Sequence, residues 1–391
     1  MIKTQNFRTK TNYIERQNPC VPGTWEIAID IGYSAVKLFS PNIVASFPSY
    51  ARRVNEEPQF VSTIPEESIF YKNLDTDETW IVGEIAQNTL ETGDTSDSES
   101  SLYGRERYSS SMFKVITEVG LGIGMLKNKY GEPGKSKIIV QTGLPERYMN
   151  DTEDIKDSME GKHNFALRLG SKDWVFFNFE LSTDNIYVMS QPKGTLFSVC
   201  VDKNGRPVKG APKLSSSIMV FDSGFGTLDL FPIREGIVKS GETYSDLGMK
   251  RILQETSKLI KDNYDVDIPV PFMQKYLETG NIRYKNKKER IVKEYSIDSL
   301  LNTACFKILN EAITRMESSF NMMDYDYLIL TGGTCAPWLN KLENMFSGYS
   351  TLKIIKGNQN DDLPFIFSNV RGYFLYRYNE LNKNNIKKSK G

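Results

Sequence analysis

Histidine and cysteine are scarce in this 391-residue sequence. It contains one histidine, His163, and four cysteines that lie far apart and form no CxxC pair. A Ser/His/Asp triad or a multi-histidine metal site would depend on His163 alone, in a context, EGKHNFALRLG, that is typical of a polar loop entering a strand. The scattered cysteines argue against a disulfide framework and against a zinc site. We therefore expect reduced thiols and no histidine-based chemistry.

Long apolar runs and an overall net charge are also lacking. No stretch reaches the roughly 18 to 20 consecutive apolar residues that a membrane helix needs, and the opening segment, MIKTQNFRTKTNYIERQNPC, lacks the apolar core of a signal peptide. Lys plus Arg number 49 and Asp plus Glu number 49, so the overall charge favours neither direct DNA binding nor a membrane surface. We expect a cytoplasmic protein that binds neither DNA directly nor a membrane.

The most informative feature is a pattern that occurs twice. WEIAIDIGYSAVKLFS and SIMVFDSGFGTLDLFPIREG each predict a strand, a tight Asp-x-Gly turn and a second strand. The residues that match between the copies are Asp30 with Asp222, Gly32 with Gly224, Ser34 with Gly226, and Lys37 with Asp229. Two related halves are therefore predicted.

The segments that follow each copy predict helices alternating with strands, and therefore an α/β class. MFKVITEVGLGIGML has near-helical apolar spacing and precedes the buried strand of KSKIIVQTGLPERY. In the second half, SIDSLLNTACFKILNEAITRMESSFNM predicts an amphipathic helix, and the strand of DYLILTGGTCAPW ends in Gly332, Gly333 and Thr334.

Composition shifts suggest how the chain is divided. The predicted parts are a polar N-terminal extension at 1–24, a first domain at 25–215, an inserted subdomain at about 45–110, a second domain at 216–378, a peripheral subdomain at about 262–296, and a basic tail at 379–391. The inserted subdomain includes a Ser-, Asp- and Glu-rich surface stretch at about 91–111. The last helix is expected to pack back on the first domain, and the extension and the tail are expected to be poorly ordered.

An Asp at the end of a strand, followed by a Gly-containing turn, can hold Mg²⁺ through water while backbone N–H groups face phosphate oxygens. A single Asp-x-Gly turn is weak evidence for such a site, since these turns are common and the Asp residues could simply cap hairpins. Two matched copies and a later Gly-Gly-Thr favour a nucleotide site, because glycines let backbone approach a nucleoside closely.

These residues resemble the motifs of the actin, sugar-kinase and heat-shock ATPase superfamily, in the family's order. The phosphate-1 loop matches DIGYSAVK (30–37), the phosphate-2 loop DSGFGTLD (222–229), and the adenosine motif LILTGGTCAPW (328–338). The resemblance runs from about Trp25 to Tyr378. It is nearest to ParM-like actins of plasmid segregation, through TWIVGEIAQ (79–87), VQTGLPERY (140–148), GETYSDLG (241–248) and SNVRGYFLY (368–376). Another bacterial or phage actin-like filament protein also fits.

The resemblance implies an actin-like fold, with two related ribonuclease-H-like α/β domains around a nucleotide cleft, each with a smaller inserted subdomain. It implies an NTPase that binds ATP or GTP with Mg²⁺, forms filaments with itself, and moves plasmid DNA through a DNA-binding adaptor on a plasmid centromere. The alternatives are a small-molecule kinase or a monomeric nucleotide switch of the same fold. No segment supplies a recognisable sugar-kinase base.

The resemblance also implies roles for individual residues. Asp30 and Asp222 would act in catalysis and hold the metal through water. The expected nucleotide contacts are Gly32, Tyr33, Ser34 and Lys37 in the first loop, Ser223, Gly224, Phe225, Gly226, Thr227 and Asp229 in the second, Gly332, Gly333 and Thr334 around adenosine, and Glu242 and Lys250 near ribose or base.

The water-positioning residue is open between two glutamines. VMSQPKG places Gln191 where the ParM pattern has a glutamate, and Gln191 could polarise a water without being a strong base. Gln141, at the end of IIVQTGLP, matches the segment that actin itself uses. We favour Gln191, although it could merely pack the site. Arg371, in NVRGY, is expected to be a surface charge, and the alternative for Lys37 is a solvated strand residue.

Overall fold

The computed structural model describes residues 3–89, 105–213, 215–286 and 291–388. Contacts divide the chain into two compact units. We call Lys10–Lys213 with Ile355–Gly391 the N-unit, and Met1–Thr9 with Leu214–Ile354 the C-unit. The sequence places a domain boundary at about residue 215, and the chain passes from the N-unit to the C-unit at residues 213–214.

The described chain contains both strands and helices. The strands are β1 (Asn12–Glu15), β2 (Thr24–Ile31), β3 (Ala35–Phe39), β4 (Ile43–Pro48), β5 (Ala51–Val54), β6 (Ile69–Asn73), β7 (Thr79–Val82), β8 (Lys137–Leu144), β9 (Gly161–Leu169), β10 (Val175–Leu181), β11 (Ile186–Ser190), β12 (Ile218–Ser223), β13 (Leu228–Arg234), β14 (Ile237–Val238), β15 (Glu242–Tyr244), β16 (Asn281–Asn286), β17 (Ile291–Ser296), β18 (Tyr327–Thr331) and β19 (Lys353–Lys356). The helices are α1 (Glu84–Asn88), α2 (Ser111–Met125), α3 (Thr152–Asp157), α4 (Gln191–Cys200), α5 (Met249–Tyr264), α6 (Val270–Thr279), α7 (Asp298–Ser319), α8 (Cys335–Met345) and α9 (Ser368–Lys388).

The N-unit is built on a mixed sheet in the order β1-β4-β3-β2-β8-β11. Strands β1 to β4 pair antiparallel, whereas β8 and β11 run parallel to β2. Seven of the eight residues of β2 are buried, as expected for a strand covered on both faces. Helix α2 covers one face, and Ser110 caps its N-terminus by accepting a hydrogen bond from Phe113 N at 3.1 Å.

A second, antiparallel sheet of the N-unit has the order β10-β9-β6-β7-β5. It follows β4 in the chain and is completed by β9 and β10, so it is an insertion into the first sheet's connections. Part of the Ser-, Asp- and Glu-rich stretch expected at about 91–111 lies outside the described residues, which resume at residue 105.

The C-unit repeats the same plan. Its sheet has the order β14-β13-β12-β18-β19, with β15 also paired to β13, and β18 runs parallel to β12. Helices α5, α7 and α8 supply apolar side chains to the core beside it, including the fully buried Trp338.

The two halves agree in register as well as in order. Asp30 pairs with Lys37 across the β2–β3 hairpin, and Asp222 pairs with Asp229 across the β12–β13 hairpin. In each half the first strand of the hairpin also pairs with a parallel strand, β8 or β18. The predicted α/β class with two related halves is confirmed.

Both chain ends carry more structure than their composition indicates. Within the segment expected to be a polar extension, β1 pairs with β4, and Phe7 is buried in the core of the C-unit. Helix α9 extends through much of the expected tail, to Lys388, and packs on α4 and β2. In the described ranges, no helix combines the length and apolar content needed to cross a bilayer.

Candidate functional site

Three of the residues expected at a nucleotide meet at one end of the N-unit sheet. Asp30 lies near the end of β2 and is 3% exposed, and Lys37 faces it from β3. Lys37 Nζ lies 3.0 Å from Asp30 Oδ2, and Gln191 Nε2, at the start of α4, donates a hydrogen bond of 3.2 Å to Asp30 Oδ1. A carboxylate, an ammonium and an amide from distant sequence positions thus form one polar cluster.

The turn between β2 and β3 is held in one conformation by hydrogen bonds. Gly32 N donates to Ala35 O at 3.0 Å, while Ser49 Oγ donates to Gly32 O at 2.7 Å and Ser49 N to Ser34 O at 2.9 Å. A Cβ at Gly32 would lie 2.7 Å from Lys37 Nζ, so glycine here lets the lysine lie against the turn. Tyr33 and Ser34 are half-buried in the same turn.

Gln141, the competing water-positioning residue, lies in the protein interior. Its side chain is buried, its Nε2 donates to the carbonyls of Thr142 and Tyr187 at 3.0 and 3.1 Å, and its Oε1 accepts from Arg377 Nε and Nη2 at 3.0 and 2.9 Å. Both ends of the amide are therefore used by the protein. Burial lowers the pKa of Arg377 below its ordinary value, although the guanidinium stays charged at neutral pH.

In the C-unit, Asp229 is used to brace the second hairpin. Its Oδ2 accepts from Thr227 Oγ1 at 2.8 Å and its Oδ1 from Thr243 Oγ1 at 2.6 Å, and all three side chains are buried. Asp222 is 4% exposed on the facing strand. The geometry therefore gives Asp229 and Thr227 a structural role, and their contact with nucleotide stays a prediction.

The Gly-Gly-Thr segment and the start of α5 both donate hydrogen bonds to the turn between β12 and β13. Thr334 N donates to Ser223 O at 3.0 Å, and Thr334 Oγ1 donates to Gly224 O at 2.7 Å. Gly332 has φ +87°, and a Cβ there would overlap the carbonyl of Ser223, so this position requires glycine. From α5, Met249 N donates to Gly224 O at 3.1 Å.

The remaining expected contacts lie around this turn with differing exposure. Phe225, Gly226, Gly333 and Lys250 are half-buried, and Lys250 N donates to Phe225 O at 2.8 Å. Glu242 is exposed on β15, beside the Thr243 that holds Asp229. Its contact with ribose or base stays a prediction.

Each unit, taken by itself, has features that fit a phosphate-bearing ligand. A Cβ built on Gly224 would meet only Thr227 O, at 3.6 Å, so the turn offers open space beside backbone N–H groups. Near the ends of neighbouring strands lie buried hydroxyls that have no protein partner among the described residues: Thr142 and Ser190 in the N-unit, and Ser223 and Thr331 in the C-unit. Because an unsatisfied buried hydroxyl costs about 1–3 kcal/mol, these positions favour a polar ligand or its water shell.

The described residues contain no cluster of three or more His, Cys, Asp or Glu side chains arranged to bind a metal directly. The one histidine is in β9 rather than a loop, and it is buried in the core. Its Nδ1 lies 2.9 Å from Glu118 Oε1 and its Nε2 lies 2.9 Å from the carbonyl of Met159. His163 thus has a structural environment.

Sequence patterns missed a buried ionic network that anchors α4. Arg371, expected at the surface, is 1% exposed, so that hypothesis was wrong. Its Nε donates to Asp361 Oδ2 at 3.0 Å, and its Nη1 donates to the carbonyl of Ser198 at 2.7 Å. Arg16 also binds Asp361, at 2.7 and 2.9 Å. Buried arginines are commonly paired with an acidic group, but Asp361 has no sequence signal that would pair it with Arg371.

Comparisons with known proteins agree with the fold. The model of the family described as actin-like proteins, N-terminal domain, matches residues 28–194. A solved 15-stranded ParM filament from Clostridium botulinum is 20% identical, with a TM-score of 0.69 over 92% of this chain and 99% of that one. A non-polymerisable quadruple mutant of pCBH ParM is 19% identical, with a TM-score of 0.68 over 91% and 99%.

An archaeal actin homologue solved in complex with ADP is 14% identical, with a TM-score of 0.60 over 91% of this chain and 100% of that one. No relative is found among curated protein sequences. At these identities the likeness to solved structures establishes the fold. The segment matched by the family model, residues 28–194, contains Asp30, Lys37 and Gln191.

Proposed function

We propose that this chain, which has the actin-like fold and an actin-like domain over residues 28–194, is a nucleotide-dependent polymerising NTPase. Its filaments would move plasmid DNA during segregation, in the cytoplasm, through a DNA-bound adaptor protein. The observation that carries the proposal is the cluster of Asp30, Lys37 and Gln191. Its hairpin has a counterpart in the same register in the other half of the chain.

Each residue of the cluster has a chemical role in binding or hydrolysing ATP or GTP. Lys37 places a positive charge beside the Gly32 turn, where a phosphate oxygen can accept from it. Asp30 and Asp222 would hold Mg²⁺ through water, and the bound ion would supply positive charge that offsets the charge on the phosphates.

Gln191 is the better candidate for orienting the attacking water. Its Nε2 is used by Asp30, which fixes the amide and leaves Oε1 to accept a hydrogen from water. The other candidate, Gln141, has both ends of its amide engaged within the core. Catalysis would then depend on positioning and electrostatics rather than on a strong base.

Self-association is supported by the two ParM structures that match nearly the whole chain, one a filament and one a mutant described as non-polymerisable. Equal numbers of basic and acidic residues, 49 of each, favour an adaptor over direct DNA binding. Both statements are proposals for this chain.

The test is Mg²⁺-dependent phosphate release from ATP and from GTP, with Asp30→Asn and Asp222→Asn compared with wild type. We expect each substitution to slow release by about a hundredfold, since it removes a charge from the site. Asp326→Asn is the matched control, because Asp326 precedes β18 at the other end of the C-unit sheet, where it accepts from Ser217 N at 2.9 Å. Unchanged turnover in both site variants would refute the proposed phosphate site.

A further inference from the structure

A buried arginine lies against the turn that carries Gly32, Tyr33 and Ser34. Arg107 belongs to the 3₁₀ turn Arg105–Ser109, which precedes α2, and it is 8% exposed. Its Nη2 donates a short hydrogen bond to the carbonyl of Ile31. The guanidinium carbon lies 4.4 Å from the centre of the Tyr33 ring. Arg107 therefore contacts both the backbone and a side chain of the turn.

Within the described part of the chain, the groups that this guanidinium contacts carry no negative charge. They are a carbonyl oxygen and three aromatic rings, with Tyr108 and Phe113 at 5.6 and 5.3 Å in addition to Tyr33. Its Nε is buried and has no hydrogen-bond partner among the residues that the structure describes. Cation–π contacts offset part of the cost of burying a cation but leave its field in place. An anion bound at the adjacent turn would lower that cost further.

The turn is held from two sides. Arg107 binds the carbonyl of Ile31, while Ser49 binds the carbonyls of Gly32 and Ser34 at 2.7 and 2.9 Å. In a trans peptide the N–H points away from the carbonyl oxygen, so fixing the Gly32 carbonyl on Ser49 directs the N–H of Tyr33 to the opposite side. Such fixed N–H groups are what a phosphate-binding turn requires.

We propose that Arg107 is a positioning residue of the phosphate-binding turn: it fixes the backbone at Ile31 and supplies a buried positive charge that favours a bound polyphosphate. This inference rests on the proposed function, because it assumes that the turn binds the phosphates of a nucleotide. The sequence alone gives Arg107 no role, since it lies more than 70 positions from the turn.

The experiment measures the dissociation constant of the full chain for a fluorescent ATP analogue with Mg²⁺, for wild type and for Arg107→Gln, Arg107→Met and Arg107→Lys. We expect the two neutral variants to bind about tenfold more weakly, and the lysine variant to bind within about threefold of wild type, because it keeps the charge. Thermal unfolding of each variant identifies any that fail to fold. Two neutral variants are included so that one folded variant suffices.

Arg168→Gln is the matched control. Arg168 is also an arginine of the N-unit stacked on aromatic rings, 4.4 Å from Phe70 and 5.2 Å from Trp174, but it pairs with Glu57 instead of the turn. Unchanged affinity in the neutral Arg107 variants would overturn the inference. So would equal losses in the lysine, neutral and Arg168 variants, which would indicate a structural role alone. If wild type itself binds no nucleotide, the proposed function fails and this inference fails with it.

Discussion

Replacement of Asp361 by asparagine tests how much the buried ionic network that anchors α4 contributes to the free energy of unfolding. The Asp361 side chain is 6% exposed, and it accepts two hydrogen bonds from Arg16 and one from the buried Arg371. Asp361→Asn leaves two arginines without their counter-charge. Breaking a buried pair in this way costs about 3–5 kcal/mol, and we expect the lower value because the amide oxygen can still accept.

The assay is urea unfolding followed by tryptophan fluorescence. With a slope of about 3 kcal/mol per M, a loss of about 3 kcal/mol lowers the unfolding midpoint by about 1 M. Glu132→Gln is the control, because its pair with Lys127 is largely exposed and is worth less than about 1 kcal/mol. Hydrogen exchange should quicken in α4, whose last turn Arg371 holds through Ser198 O. A loss near that of the control would refute the reasoning.

The pH dependence of the same variant has a defined sign. Burial alone would raise the pKa of Asp361, but hydrogen bonds and charge from Arg16 and Arg371 outweigh it and hold the pKa below its ordinary value. A lowered folded-state pKa contributes stability above the unfolded value of about 3.9, and this stability is lost as pH falls through the folded pKa. The stability difference between wild type and Asp361→Asn should therefore shrink below about pH 4. A difference that stays constant down to pH 3 would contradict the assignment.

Three further predictions concern residues in or around the β2–β3 and β12–β13 hairpins. Gln191→Ala should bind nucleotide and polymerise but release phosphate about ten- to a hundredfold more slowly, and a normal rate would assign the water to another group. Gly332→Ala should destabilise the C-unit by roughly 2 kcal/mol or more, because alanine would be strained at φ +87° and its Cβ would overlap Ser223 O. Urea unfolding followed by Trp338 fluorescence measures this loss, and an unchanged unfolding midpoint would contradict the prediction. Thr243→Val should cost about 1–2 kcal/mol because it removes a buried hydrogen bond to Asp229, and an unchanged urea midpoint in the valine variant would refute this.

What could be predicted from the sequence was local and repeated. The alignment of Asp30 with Asp222 and of Lys37 with Asp229 predicted two equivalent hairpins, and the structure places each pair at the same register. Alternating β-branched and apolar residues around an Asp-x-Gly turn suffice for such an inference. The convergence of Gln191 on Asp30 could be expected only through the family resemblance.

What could not be predicted depends on partners remote in sequence. Arg371 resembles any helix-surface arginine until Asp361 and Ser198 are brought to it by the fold. Strand β1 is four residues long, with exposed ends, so it carries no hydrophobic period that would distinguish it from an extension. Likewise, nothing in the sequence indicates that Arg377, from the last helix, binds the side-chain oxygen of Gln141.

Right-angle light scattering combined with phosphate release tests the central claim most directly. Purified protein would be measured at several concentrations with Mg²⁺ and with ATP, GTP or no nucleotide. We expect scattering to rise only with nucleotide, above a critical concentration, and phosphate release to follow the rise. Phosphate release with no scattering at any concentration would contradict filament formation and indicate a monomeric switch or a kinase lacking its substrate.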